Sequence, residues 1–303
     1  MVSSPDKRYL GLFLANFSFA VGGGWVFILG YLLLAWMGWR NYILFVSIPW
    51  FIPPIIMFHI YLTPKFEEVI RKEKEEKETE SDEIQEPALP RHTMLIRLLK
   101  YGILKFVAMF IGFGVVLLLP SLIRSSNISE YGMINRCSGV VNGKQFLIMA
   151  CITGGVNVIA RCTSIQLFKR FNYRHLMLIF SIIATASFGA LTLWNILSTS
   201  PNLIMIIVAF IFIVGAWAFM INEIIIAIHD PTTFGVAGSE MGSAVCWGLS
   251  FFGASAGNAV ASFLTPQIAV IVNFVLSFVQ IVITFFLTER DAKPEQEHSV
   301  STG

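Results

Sequence analysis

The sequence predicts an all-α polytopic membrane protein, and its composition and the spacing of its apolar runs support this prediction. Of the 303 residues, 55% are hydrophobic and 13% are charged, whereas soluble domains carry about 25% charged residues. The mean hydropathy is +0.72. This composition excludes a disordered chain, a nucleic-acid-binding domain and an ordinary cytosolic enzyme. Membrane lipid is therefore an expected partner, and nucleic acid is not.

About eight apolar runs are long enough to cross a bilayer, which takes about 20 residues each. The predicted helices are Leu10–Trp36, Tyr42–Leu62, Leu98–Leu119, Phe146–Phe168, Leu176–Leu197, Leu203–Ile228, Val236–Leu264 and Ile268–Leu287. The second run contains Pro49, Pro53 and Pro54, which predicts a kinked helix because neighbouring helices can satisfy the freed carbonyl groups. The short gap near Thr265-Pro266 predicts a tight helical hairpin.

The basic residues outside the apolar runs predict the orientation. With the N-terminus inside, the inner segments hold fifteen Lys and Arg residues and the outer loops hold four. Because basic loop residues favour the cytosolic side, both termini are expected in the cytosol, in the plasma membrane or a vesicle membrane. This topology exposes the triplet Asn127-Ile128-Ser129 outside, so Asn127 is a candidate glycosylation site. Such triplets also occur by chance, and this interpretation is given equal weight.

A charged loop at residues 64–97 divides the chain. Residues 1–63 are predicted to form the last two helices of an N-terminal half-bundle, 98–288 a C-terminal six-helix bundle, and 289–303 a cytosolic tail. Alternating Glu and Lys residues predict that the loop is a solvated helix and linker, with regulation or partner contact as the alternative. Carriers built from two six-helix halves have this arrangement, and the N-terminal half is expected to be incomplete.

Several short segments follow the order and spacing of one carrier family. They are Ser4-Pro5-Asp6-Lys7-Arg8, Gly38-Trp39-Arg40, Thr63-Pro64-Lys65-Phe66, Lys169-Arg170-Phe171-Asn172-Tyr173-Arg174, and Pro231-Thr232 with Gly238. On these segments the chain resembles the major facilitator superfamily, in the branch of organic cation, organic anion and carnitine transporters and related synaptic-vesicle-type proteins. The resemblance begins at the family's fifth helix and implies a major-facilitator-type architecture. It also implies gating-loop residues, which are Lys169, Arg170, Arg174, Pro231, Thr232 and Gly238.

Some positions that the family keeps are replaced here. In the cytosolic loops the replacements are Lys169 for Asp, Asn172 for Gly, Ile228 for Glu and Gly235 for Arg. The resemblance therefore implies that the family's ion-pair latches cannot form in the usual way. In the cavity, the charged positions of the eighth and eleventh helices correspond to Asn157 and Trp247, which are both uncharged.

Three charged residues lie inside the predicted helices, where a charge is costly and usually faces a cavity or a partner. Arg161 would suit an anionic solute because the planar guanidinium group can form two parallel hydrogen bonds with a carboxylate. The alternative is that its side chain extends to the cytosolic interface, which is called snorkelling. For Lys105, snorkelling is the preferred interpretation. Glu223 could hold a proton or a cation, but the preferred interpretation is a carboxylate that reaches the cytosol or pairs with Lys169 or Arg170.

The predicted solute- or ion-binding residues combine these charges with polar and aromatic neighbours. They are Arg161, Glu223, Asn157, Trp217, Trp247 and Asn222. Interhelical hydrogen bonding and packing are the alternatives for the uncharged members. Gly253 and Gly257, four residues apart, predict close helix packing, with a hinge as the alternative. No residue pattern indicates a catalytic centre, a metal site or a cofactor, so none is expected.

The leading functional prediction is secondary transport of small organic solutes by alternating access, with or without a coupled ion, and it follows from the resemblance. The first alternative is a truncated or degenerate, non-transporting homologue that acts as a membrane scaffold or interaction protein with unknown partners. The second alternative is an intramembrane enzyme. Such enzymes carry paired Asp, His–Asp or Glu–His groups at membrane depth. The predicted helices contain no such pair, so this alternative is disfavoured.

Overall fold

The computed structural model describes residues 5–61, 68, 71, 90–127, 147–168, 170–197, 202–229, 231–234 and 239–290. These residues form helices and no β-strand. The helices are α1 (Pro5–Ser47), α2 (Ile52–Tyr61), α3 (Arg91–Asn127), α4 (Asn157–Phe168), α5 (Tyr173–Leu197), α6 (Leu203–His229), α7 (Pro231–Phe234), α8 (Ser239–Phe263) and α9 (Pro266–Arg290). A π-helical segment, Ala150–Val156, leads directly into α4.

Six helical stretches of the described chain are long and apolar enough to cross a membrane. They are Arg91–Ile123, Leu147–Ser164, Arg174–Leu197, Leu203–His229, Met241–Phe263 and Pro266–Leu287. They coincide with the last six predicted runs, so the protein is an all-α, multi-pass integral membrane protein. The total of eight spans and the major-facilitator architecture remain predictions.

The first two predicted runs form α1, a 3₁₀ turn and α2. Gly38 separates the runs with a φ of 69°, a backbone conformation that glycine adopts without steric cost. The helix then continues to Ser47, and Pro49 lies in the 3₁₀ turn Ile48–Phe51. The predicted interruption of the second run by proline is thus confirmed.

Two boundaries differ from the predictions. Helix α3 begins at Arg91, seven residues before the predicted start of the six-helix bundle, and it runs on to Asn127.

The connection between α8 and α9 is short, but these helices make few contacts with each other, because α8 packs mainly on α3 and α9 on α5. The prediction that α8 and α9 pack together as a tight helical hairpin is therefore wrong.

Glycines set the closest helix contacts. At Gly253 and Gly257 of α8, an added Cβ would overlap the backbone carbonyl oxygens of Phe106 and Phe110 in α3. The predicted close packing is confirmed, since these positions have no room for a side chain. Gly24 of α1 faces the backbone of Gly154 in the π-helical segment in the same way.

Among the described residues, the core consists of two hydrophobic clusters at opposite ends of the bundle. One surrounds Ile111, Phe188 and Phe210, where α3 and α5 end and α6 begins. The other surrounds Leu104 and Ile224, where α3 begins and α4 and α6 end. The three charged residues singled out from the sequence lie at this second end.

Candidate functional site

Arg161 is buried inside the bundle, with only 1% of its surface exposed. Its Nε donates a hydrogen bond to Oδ1 of Asn157, one turn earlier, at 2.7 Å. Its Nη1 donates to Oδ1 of Asn222 in α6 at 3.0 Å. The snorkelling alternative is therefore wrong, because two amide oxygens hold the guanidinium between α4 and α6.

Ser164 closes this network, although it was not among the predicted site residues. Nδ2 of Asn222 donates to Oγ of Ser164 at 2.9 Å, and that hydroxyl donates to the carbonyl oxygen of Arg161 at 2.7 Å. Its spacing of three residues from Arg161 on the same helix was the available signal. We call Asn157, Arg161, Ser164 and Asn222 the Arg161 network.

Trp217 connects the network to α3. Its Nε1 donates to the carbonyl oxygen of Ala108 at 2.7 Å. Its ring packs against Gly112, where a Cβ would overlap the indole. The Cζ of Arg161 lies 5.8 Å from the centroid of the Trp217 ring, within the range of a cation–π contact.

An apolar cavity of about 190 Å³ adjoins the network. Its lining residues are Ala20, Phe27, Gly112, Phe113, Val115, Val116, Thr153, Asn157, Ile213, Val214 and Trp217. Asn157 and Trp217 thus belong to both the cavity wall and the surroundings of the Arg161 guanidinium. The Thr153 hydroxyl is already engaged, since it donates to the carbonyl oxygen of Met149 at 2.6 Å.

Lys105 is also fully buried, so the preferred interpretation of snorkelling is wrong. Its Nζ has no hydrogen-bond partner within the part of the chain that the structure describes. It lies 4.0 Å from the centroid of the half-buried Trp247 ring. Trp247 thus faces a buried cation and is not among the residues that line the cavity.

Glu223 follows Asn222 in the chain but stands outside the network. It is fully buried, and neither of its carboxylate oxygens has a hydrogen-bond partner among the described residues. The preferred interpretation, a carboxylate reaching the cytosol, is wrong. Arg170 is exposed, so it does not pair with this buried side chain, and Lys169 lies outside the described residues. Binding of a proton or cation remains a prediction.

The predicted gating loops are described only in part. Lys169 and Gly238 lie outside the described residues, as do the side chains of Pro231 and Thr232. Asn172 caps α5 by accepting a hydrogen bond from the backbone N–H of Arg174 at 3.0 Å. This capping role gives Asn172 a structural function at the position where the resemblance implies glycine.

An unpredicted contact covers this end of the bundle. Nη1 of Arg97 donates to the carbonyl oxygen of Thr233 at 3.0 Å, which joins α3 to the short helix α7. The next residue, Phe234, is buried, with its ring centroid 6.0 Å from that of Tyr101. Phe234 also fills the space beside Gly242 of α8. No feature of the local sequence indicates these contacts, because they join residues far apart in the chain.

Two further predictions concern the periphery. Asn127 is the last residue of α3, and the remainder of its glycosylation triplet lies outside the described residues. No group of three His, Cys, Asp or Glu side chains that could hold a metal occurs among the residues with a described position.

The comparisons with known proteins leave the family open. The chain matches no protein-family model, and no curated protein matches it. The resemblance to the major facilitator superfamily therefore remains a prediction from the sequence segments.

Proposed function

We propose that this protein is a secondary transporter of small organic solutes that works by alternating access. The observation that carries the proposal is the Arg161 network at the wall of an apolar cavity between membrane helices. Polar and charged groups inside a membrane protein are costly and usually mark a solute or ion pathway. A cavity with a few convergent polar groups is the usual form of a small-molecule site.

The neighbouring backbone supports a binding role for the cavity. Thr153 and Asn157 come from the π-helical segment Ala150–Val156 and the first residue of α4. Short π-helical segments are rare and are frequently found at functional sites. The cavity is closed on another side by Ala20 and Phe27 of α1. Movement of α1 along the Gly24–Gly154 contact would open or close it.

A major-facilitator-type architecture, in which one half rocks against the other around a midplane site, is part of this proposal. So are cytosolic termini and a location in the plasma membrane or a vesicle membrane. If the carrier couples transport to an ion, Glu223 is our candidate to hold that ion.

The alternative function is a non-transporting scaffold, and the composition and exposure of α8 favour it. This is the least apolar of the six spans and the one with the smallest buried share. Its exposed residues include Ser255 and Ser262 as well as Phe251 and Phe252. Such a face would suit contact with another protein helix.

Uptake into phosphatidylcholine vesicles separates the two functions. The purified chain would be tested with radiolabelled benzoate, choline and glucose, which represent anionic, cationic and neutral solutes. Transport predicts saturable uptake of at least one of them and its loss in Arg161→Gln. The absence of saturable uptake for all three, with correctly folded protein in the vesicles, would support the scaffold.

A further inference from the structure

We propose that the apolar cavity is a regulatory site for an uncharged hydrocarbon group about the size of one ring, which enters from the bilayer and holds α1 against the bundle. Such a group dissolves in lipid and crosses a bilayer without a carrier, so it is a regulator and not a transported solute. The binding step is independent of transport. The effect of the ligand on uptake rests on the proposed function.

Three polar groups in the cavity wall already have hydrogen-bond partners. The Thr153 hydroxyl and the Trp217 indole N–H each donate to a backbone carbonyl oxygen. The side-chain oxygen of Asn157 accepts from Nε of Arg161. The other side chains of the wall are apolar. Because a charged or polyhydroxylated ligand would lose its water and gain few partners here, the wall favours an uncharged hydrocarbon.

The volume of the cavity sets the size of the group. A dry, apolar cavity of about 150 Å³ holds benzene, so the cavity of about 190 Å³ found here suits one ring with a small substituent. Phe27, Phe113 and Trp217 are part of the wall, and aromatic side chains pack well against another ring. A group that fills this space gains dispersion contacts that the empty cavity lacks.

Part of the cavity wall reaches the surface at membrane depth. Phe113 and Val116 line the cavity and are only half-buried, and the adjacent Leu117 is 39% exposed. All three lie in Arg91–Ile123, one of the stretches that are apolar enough to cross a membrane. A hydrocarbon group in the bilayer can therefore reach the cavity from the side.

The contact of α1 with the cavity is one narrow helix face. Ala20, Gly24 and Phe27 lie four and three residues apart and so share this face. Ala20 and Phe27 line the cavity, while Gly24 between them meets the backbone of Gly154. This glycine pair joins the two segments without a side chain on either one. A ligand beside the pair would add packing contacts to α1 and hold the helix in place.

Hydrogen exchange of the purified full chain in phosphatidylcholine nanodiscs tests the site, with toluene as the probe. We expect toluene to slow exchange in residues 20–27 of α1 at least about threefold, and to leave α9 unchanged. At about ten times its dissociation constant, toluene should raise the melting temperature by about 3–5 °C. Benzoate and benzylammonium, which add a negative and a positive charge to the ring, should have neither effect.

Two variants that fill the cavity provide the specificity control. Val214→Phe on α6 and Val116→Phe on α3 each place a ring in this space from a different helix. Misfolding of one variant therefore leaves the other for the test. Both should abolish the response to toluene. Val208→Phe makes the same change at an exposed position of α6 and should retain the response.

Nanodiscs with phosphatidylcholine brominated near the chain ends distinguish a lipid chain from a free molecule. If bromine quenches tryptophan fluorescence more strongly in the wild type than in Val214→Phe, and toluene relieves this quenching, the natural occupant is a lipid chain. If toluene protects α1 and this quenching is absent, the occupant is a free hydrocarbon.

Two results would overturn the inference. One is an equal response to toluene in the wild type and in the folded filling variants, and the other is an equal response to toluene, benzoate and benzylammonium. The uptake assay keeps this test separate from the proposed function. Protection by toluene without uptake of any solute would retain the cavity ligand and reject transport. Saturable uptake without protection by toluene would retain transport and reject the cavity ligand.

Discussion

The Nε atom of Arg161 lies 2.7 Å from Oδ1 of Asn157, one helical turn away on α4. This hydrogen bond directs the side chain back along its own helix, and Asn222 holds the other side of the guanidinium. The acceptors are amides, so the arginine is oriented while its positive charge remains uncancelled.

Asn222 should contribute to stability as well as orientation. Asn222→Ala removes the hydrogen bonds to Arg161 and Ser164 and leaves a buried charged donor without its partner. We expect the free energy of unfolding to fall by about 2–4 kcal/mol. Asn258→Ala, at a half-buried position of α8, should cost under about 1 kcal/mol. Thermal unfolding in detergent checks both, and equal losses would contradict the role given to Asn222.

The α3–α8 contact should tolerate no side chain at Gly257. In Gly257→Ala, the new methyl group would press on the carbonyl oxygen of Phe110 and separate the helices. We expect a loss of about 1–3 kcal/mol in the free energy of unfolding. Gly248→Ala on the same helix meets nothing within 4 Å. It should be neutral or stabilise the protein by up to about 1 kcal/mol, because alanine favours helix. A stable Gly257→Ala protein would refute this packing.

Glu223 should be dispensable for folding. Since neither carboxylate oxygen has a partner in the described part of the protein, Glu223→Gln removes no hydrogen bond and keeps the volume. Glu223→Met replaces a buried polar group with an apolar one, so the melting temperature should stay the same or rise. Thermal unfolding of both variants tests this. A loss of more than about 2 kcal/mol in both would mean that Glu223 has a stabilising partner.

Phe234 should seal the end of the bundle where α7 packs. It belongs to the same hydrophobic cluster as Cys246, a free and buried thiol. Phe234→Ala should cost about 3–5 kcal/mol and open this end. Labelling of Cys246 by maleimide, followed by peptide mapping, should then be faster. Cys151 and Cys162 are already exposed, so their labelling provides the control and should not change. Unchanged labelling of Cys246 would show that other residues seal the cluster.

The apolar runs allowed six spans to be predicted because run length alone decides whether a helix can cross a membrane. The direction of the Arg161 side chain could not be predicted in the same way. A long cationic side chain at that depth can reach the interface or turn inward. The inward position depends on Asn222, which is 61 residues away in the chain. The signal for Lys105 was equally ambiguous, because its Trp247 contact also comes from a distant helix.

Other parts of this end of the bundle and of the site could not be predicted from the sequence, because they depend on backbone groups and backbone geometry. Thr233 contributes its backbone carbonyl to Arg97, and no side-chain pattern indicates a backbone acceptor. The π-helical segment left only the small pair Gly154-Gly155 as a trace in the sequence. The close approach of Gly253 and Gly257 was predictable, because small residues four apart mark one helix face.

Solute counterflow is the most direct test of the central claim, that the Arg161 network beside an apolar cavity serves an alternating-access carrier. Vesicles containing the protein would be loaded with the unlabelled form of whichever solute shows saturable uptake, and then diluted into a trace of the same solute carrying a label. The account predicts a transient accumulation of label above that in unloaded vesicles, and its loss in Arg161→Gln. Equal label in loaded and unloaded vesicles would contradict the account, because a site that alternates between the two sides must exchange its solute.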